Sequence, residues 1–247
     1  MGNIPRAITL AEESVALDTK VANLPNLALS KGALGLTYVA LGEWDKGEQC
    51  LMEALSISQK LNQWQQITGN YWWLGWLNLC KGEFDKALEL LEKMNAVYDK
   101  VGAEYDKTID SNLLIWVYLE LGEIGKAESL LDSLEKCASE VKRKNTLAMA
   151  YVRRGMLFRA QKKWKESIEF FEKGLQEYEA LGARRWNVYV FARTVLYEYA
   201  RVYLERNEEG DREKAYNLLD QALEIFQKLG AKKDIEMIIA KKKLLTA

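Results

Sequence analysis

Apolar residues recur at i, i+3, i+4 and i+7 along most of the chain, as in Ala87, Leu90, Leu91 and Met94. This is the spacing of a helix with one buried face. Prolines occur only at 5 and 25 in 247 residues, so nearly the whole chain lacks a residue that must break a helix. The pattern also repeats. LGEWDKGEQCL at 41–51, KGEFDKALELL at 81–91, LGEIGKAESLL at 121–131 and QKKWKESIEFF at 161–171 stand 40 residues apart. Gly2, Gly42, Gly82 and Gly122 share one column. Half a period on, Ala22, Asn62, Gly102, Lys142, Gly182 and, after an insertion, Gly230 share another. Two turn columns per period mean two helices per repeat.

The pattern predicts first helices at 24–41, 64–81, 104–121, 144–161 and 184–206. Second helices are predicted at 4–21, 44–61, 84–101, 124–141, 164–181 and 211–229, with a last helix at 232–245. Asn62, Gly102, Gly182 and Gly230 read as C-caps in the left-handed conformation. The fifth copy, NEEGDREKAYNLLDQAL at 207–223, is displaced, which predicts a longer helix or turn near 183–212. Gly35, Gly75, Gly155 and Ala200 on first helices face Gly47, Ala87, Ser167 and Ala215 on second helices, so the two backbones of each pair approach closely. One pair cannot bury its apolar face alone, and neighbours must stack. The expected fold is all-α: a right-handed superhelical solenoid of antiparallel helix pairs, about 12 helices in one repeat domain over 1–247. It begins with the second helix of a truncated repeat, 4–21, followed by repeats at 24–61, 64–101, 104–141, 144–181 and 184–229. An array that opens mid-repeat is expected to be part of a longer one or to have that end covered, for instance by self-association.

These residues resemble the tetratricopeptide repeat. Leu34, Gly35, Tyr38, Gly42, Gly47 and Ala54 carry the pattern in one copy, and Tyr71, Leu74, Gly75, Gly82 and Ala87 in the next. Leu114, Tyr118, Gly122 and Ala127, then Tyr151, Gly155, Phe158, Trp164 and Ser167, continue it. The period is 40 rather than 34, and the closing proline is absent. Longer, proline-free arrays are similar to the sensor arrays of signal-transduction NTPases, of maltose-regulator-type activators and of some bacterial peptide-responsive regulators. That resemblance implies a non-enzymatic protein- or peptide-binding scaffold or sensor, with an effector domain elsewhere; no G-x-x-x-x-G-K-[ST] phosphate loop occurs in this chain.

In such an array the first helices line a concave groove. Counting from the small column, one groove column is Leu36, Trp76, Trp116, Met156 and Arg201; one turn earlier it is Gly32, Trp72, Asn112, Val152 and Tyr197. Trp72 and Trp76 are i, i+4 neighbours, and Trp76 meets Trp116 across repeats. Indole surfaces and the Asn112 amide suit an extended or helical peptide segment. They would equally stack on a sugar, which leaves a small-molecule sensor or a self-assembling structural module as alternatives, and the same Trp residues could instead pack against each other and stay dry.

Charge changes the picture locally. The chain carries 35 basic and 36 acidic residues, so neither nucleic acid nor membrane is an expected partner. Between 141 and 165, however, Lys142, Arg143, Lys144, Arg153, Arg154, Arg159, Lys162, Lys163 and Lys165 occur with no acid. Arg159 and Arg201 should lie in or beside the groove, where they would hold an acidic ligand end; the alternative is a solvated block balancing the acidic repeats before it. The chain has no His, which removes His triads, His acid/base catalysis and His metal ligands. Carboxylates such as Glu43/Asp45, Glu83/Asp85 and Glu123 recur at equivalent turns and read as helix caps, so no catalysis, cofactor or metal is expected. Cys50, Cys80 and Cys137 lack disulfide or zinc spacing and read as buried, reduced thiols in a cytoplasmic protein.

Overall fold

The computed structural model describes residues 4–141, 144–181 and 188–246, and their regular structure is helical throughout. The helices are α1 Ile4–Lys20, α2 Leu24–Leu41, α3 Trp44–Lys60, α4 Trp64–Lys81, α5 Phe84–Val101, α6 Glu104–Asp110 and α7 Asn112–Glu120. They continue with α8 Ile124–Val141, α9 Lys144–Ala160, α10 Trp164–Ala180, α11 Val188–Phe191, a π-helical turn Ala192–Leu196, α12 Tyr197–Arg206, α13 Asp211–Leu229 and α14 Lys232–Thr246. Consecutive helices form antiparallel pairs of the tetratricopeptide-like kind. Gly2, Lys142, Arg143 and Gly182 lie outside the described residues.

Each turn column has the backbone it needs. Gly42 and Gly82 sit at φ +79° and Gly122 at +77°, while Asn62, Gly102 and Gly230 take φ +52°, +71° and +71°. The column tolerates other residues at a cost: Ala22 and Lys162 are held at φ +53° and +59°. Within pairs, the small columns meet as the spacing predicts. A Cβ on Gly35 would come within 3.1 Å of the Gly47 carbonyl, and one on Gly75 within 2.8 Å of Leu91. The Ser167 hydroxyl donates to the Gly155 carbonyl at 2.8 Å across the same crossing in α9/α10.

Three local features depart from the simple repeat. The helix predicted over 104–121 is interrupted at Ser111, where the Ser111 hydroxyl donates to the Lys107 carbonyl and the Asn112 amide to that of Ile109. Such side-chain bonds compete with the helix ladder. The insertion near 183–212 is absorbed partly by the π-helical turn, which holds extra residues without breaking the helix, and partly by the longer turn before α13. Finally, Glu43 and Glu83 stand at N-cap positions but make no side-chain capping bond. They pair instead with Lys46 and Lys86 one turn on, so the expected carboxylate caps become exposed ion pairs of little energetic weight.

The turn before α13 is closed by charge. Arg206 donates from Nε and Nη2 to both carboxylate oxygens of Asp211, at 2.8 and 2.6 Å, and Asp211 also accepts the Glu208 amide at 2.9 Å. The Arg206 guanidinium holds the Asp211 carboxyl below its ordinary range. A lowered folded value means that this stabilisation is present above the unfolded value of about 4. It is lost as pH falls through the folded value. Asp211→Asn is expected to flatten the decline of melting temperature below about pH 4, read by circular dichroism across an acid series.

The chain divides into two compact units, Met1–Val117 and Tyr118–Ala247. In the first, Leu51, Leu74, Leu91, Met94 and Trp76 form the interior. In the second, Leu157, Phe171, Phe191 and Phe226 do so.

Candidate functional site

In the first unit an open cleft of about 410 Å³ lies between α2 and α4, floored by Leu51 of α3. Gly32, Leu36, Gly69 and Trp73 line its walls, and the amides of Gln65, Gln66 and Asn70 supply its polar atoms. Gly32 and Leu36 belong to the two groove columns read from the sequence. Asn70 and Trp73 were missed because they lie outside those columns. Gly69 carried a usable signal: it is a mid-helix glycine with no small partner in the repeat register. A Cβ there would meet nothing within 4 Å, so packing does not demand it. Gly69→Ala is therefore expected to raise stability by about 1 kcal/mol, the helix-propensity difference. The same change at Gly75 is expected to lower it, because Leu91 occupies the space. Parallel urea denaturation of the two variants checks both signs.

Beneath this surface is a cluster of four indoles. Trp72 stacks on Trp76 with ring centroids 5.7 Å apart and planes 12° apart. Trp76 meets Trp116 edge to face at 5.6 Å. Trp73 packs on Trp72 at 4.8 Å. Trp72 and Trp73 are half-buried, whereas Trp76 and Trp116 are only 1% and 2% exposed. Asn112 is buried as well, its amide spent on the Ile109 carbonyl at 3.0 Å.

In the second unit Val152, Met156 and Tyr197 are buried. Val152 packs against Gly174 of α10, and the Met156 sulfur accepts from Arg153 at 3.2 Å. Tyr197 lies under the Arg193 guanidinium, 4.8 Å from its ring centroid. Arg159 and Arg201 come together with three carboxylates. Arg159 reaches Glu205 at 2.5 Å, Glu198 at 3.3 Å and Glu120 at 3.6 Å; Arg201 reaches Glu120 at 2.6 Å, Glu198 at 3.1 Å and Glu205 at 3.5 Å. Burial works to lower the basicity of Arg201, but Glu198, Glu120 and Glu205 outweigh it and hold the guanidinium above its usual range.

The basic block is partitioned rather than displayed. Arg153 is enclosed, burial pulling its guanidinium down to about 10, and it stays charged at neutral pH. Arg154 donates to Glu135 from Nε at 2.9 Å and Nη2 at 2.6 Å, and to Asp132 at 2.6 Å. Lys144, Lys162, Lys163 and Lys165 remain exposed. Cys50, Cys80 and Cys137 are half-buried rather than enclosed as expected. Among the described residues no group of three or more His, Cys, Asp or Glu is placed to hold a metal. No described helix is long and apolar enough to cross a membrane.

Geometry and repeat pattern define a protein built of tetratricopeptide-like helix pairs. A sequence model of the tetratricopeptide repeat matches residues 30–61, the stretch from α2 into the end of α3. No curated protein sequence matches the chain. Among solved structures, NprR in complex with its cognate peptide NprX is similar in fold, with a TM-score of 0.66 and 19% identity over 98% of this chain and 67% of that one. A Rap protein complexed with Competence and Sporulation Factor gives 0.60 and 12% over 98% and 70%. BtubC (BKLC) from P. vanneervenii gives 0.59 and 18% over 100% and 92%.

Proposed function

We propose that this protein is a non-enzymatic scaffold or sensor that binds a peptide or protein segment on the faces of its first helices. The observation that carries this reading is the open, largely apolar cleft between α2 and α4. Likeness in fold to NprR, seen with its cognate peptide, and to Rap, seen with Competence and Sporulation Factor, supports it. Of the groove residues read from the sequence, Trp72 keeps exposed surface in the first unit and is proposed to touch ligand there, with Trp76, Asn112 and Trp116 as the wall behind it. In the second unit Arg201 keeps exposed surface and is proposed as a contact of that unit, with Val152, Met156, Arg159 and Tyr197 behind it. The internal pairing of Arg159 and Arg201 favours a neutral ligand over an acidic one, because an incoming carboxylate would compete with three already in place.

Selection of a peptide from a random display library on the full chain, followed by calorimetry and Trp emission, tests the proposal. A selected peptide is expected to bind saturably, with Kd on the order of micromolar, and to shift the emission. Trp73→Phe is expected to diminish that shift. Failure to select any saturable binder would remove the reading.

One observation favours a second reading, self-association. Leu10 and Leu17 of α1 and Val21 in the turn just after it are each more than half exposed, and Leu24 continues the apolar surface into α2. Sedimentation is then expected to show concentration-dependent dimers that Leu17→Glu disperses. A monomer at all concentrations would rule it out.

A further inference from the structure

The helical glycines fall into two kinds. At Gly35, Gly47, Gly75, Gly155 and Gly174 a Cβ would come within 2.7–2.8 Å of a neighbour, so close packing explains the missing side chain. At Gly69, as at Gly125 in the first turn of α8, a Cβ meets nothing, and at Gly32 it meets only Asn70 Oδ1, at 3.4 Å. Gly32 and Gly69 line the cleft. They leave space and keep one atom accessible.

That atom is an oxygen with a definite direction. Asn70 is 7% exposed, and its Nδ2 donates to the Gln66 carbonyl at 2.7 Å. A carbonyl accepts only, so the nitrogen must face Gln66 and the oxygen must face Gly32 and the cleft. No described protein donor reaches that oxygen. The oxygen keeps accessible surface, so a ligand N–H or O–H entering between the glycines would meet it in place of water.

The lining of Leu29, Leu36, Leu51 and Trp73 contains no ionisable group, nor do the three amides. A charged ligand group would be desolvated there without a counter-charge. A neutral ring with a single donor matches an apolar wall whose one buried side-chain amide is that of Asn70, those of Gln65 and Gln66 being more exposed.

We infer that the cleft is an anchor pocket for one uncharged aromatic side chain of the partner, Tyr or Trp, whose O–H or N–H donates to Asn70 Oδ1. The inference rests on the peptide-binding reading and narrows it to a residue class. Gly32 and Gly69 set specificity by exclusion: the first keeps the acceptor open, the second keeps the space.

The test uses the full ¹⁵N-labelled chain and three probes: p-cresol, toluene and 4-methylbenzoate. p-Cresol is expected to shift the Asn70 side-chain amide and the Gly69 N–H saturably. Toluene should bind several-fold more weakly, and 4-methylbenzoate at least tenfold more weakly. Gly69→Leu should abolish the p-cresol shifts, and Gly32→Ala should weaken binding fivefold or more, with neither lowering the melting temperature; Gly69→Ala, which adds only a methyl, serves as the folding control. The inference is overturned by absence of saturable shifts up to the solubility of p-cresol, by equal affinity for p-cresol and 4-methylbenzoate, or by undiminished binding to Gly69→Leu. A display-selected peptide that binds wild type and Gly69→Leu equally would also overturn the pocket, while leaving peptide binding itself standing.

Discussion

Trp76→Ala is expected to lower the free energy of unfolding by about 3–5 kcal/mol, the range for truncating an enclosed aromatic. Trp76 is 1% exposed and stacked between Trp72 and the edge of Trp116. Its removal leaves a void that neither neighbour can fill, because both are fixed in turn by their own helices. Urea denaturation followed by circular dichroism gives the magnitude. Loss below about 1 kcal/mol would mean that the indole is not packed as described. The same burial makes Trp76 a poor probe of ligand contact, since its loss would disturb folding and binding together. Trp73, at the cleft edge, separates the two.

The second large effect is expected at Arg159. Its guanidinium bridges Glu120, Glu198 and Glu205, and Glu198 is only 1% exposed. Arg159→Ala leaves Arg201 to serve three carboxylates, one of them fully enclosed. Removal of one partner from a buried ion pair costs about 3–5 kcal/mol, and the remaining Arg201 contact places the expected loss near the lower end. Arg159→Met, which restores volume but not charge, is expected to recover little of it. If Arg159→Met were as stable as wild type, packing rather than charge would be what the side chain supplies.

The helix pairs were legible because their causes are local. Columns of Gly and Asn mark residues that must turn left-handed, and Gly35 opposite Gly47 marks two backbones in contact; each leaves a periodic trace. The contact of Trp76 with Trp116 follows from the same register. Which side chains stay open to solvent does not. Register places Trp72 and Trp76 on one face, but depth depends on how closely α4 approaches α2 and α7, and that is decided by side chains outside the repeat pattern. Arg159 and Arg201 illustrate a second limit. Glu120 lies 39 residues before one and 81 before the other, close to one and two periods, so register brings them to one level; whether they meet each other or a ligand there is not periodic information. The helix break at Ser111 escaped notice because Ser and Asn interrupt a helix only when their side chains turn back on the backbone. The cleft escaped for the opposite reason: Gly69 is informative through what does not surround it.

The arginine and glutamate cluster has a consequence for how the second unit comes apart. Stacked helical pairs ordinarily fray one at a time from a terminus, since each touches only its neighbours. Glu120 closes α7, Arg159 belongs to α9, and Glu198, Arg201 and Glu205 belong to α12, so three successive first helices share one set of charges. Detaching any of them strands a charge on the other two. Amide protons of α9 and α12 should therefore exchange with solvent at a common rate, as a single cooperative block, where those of α14 beyond the cluster exchange earlier.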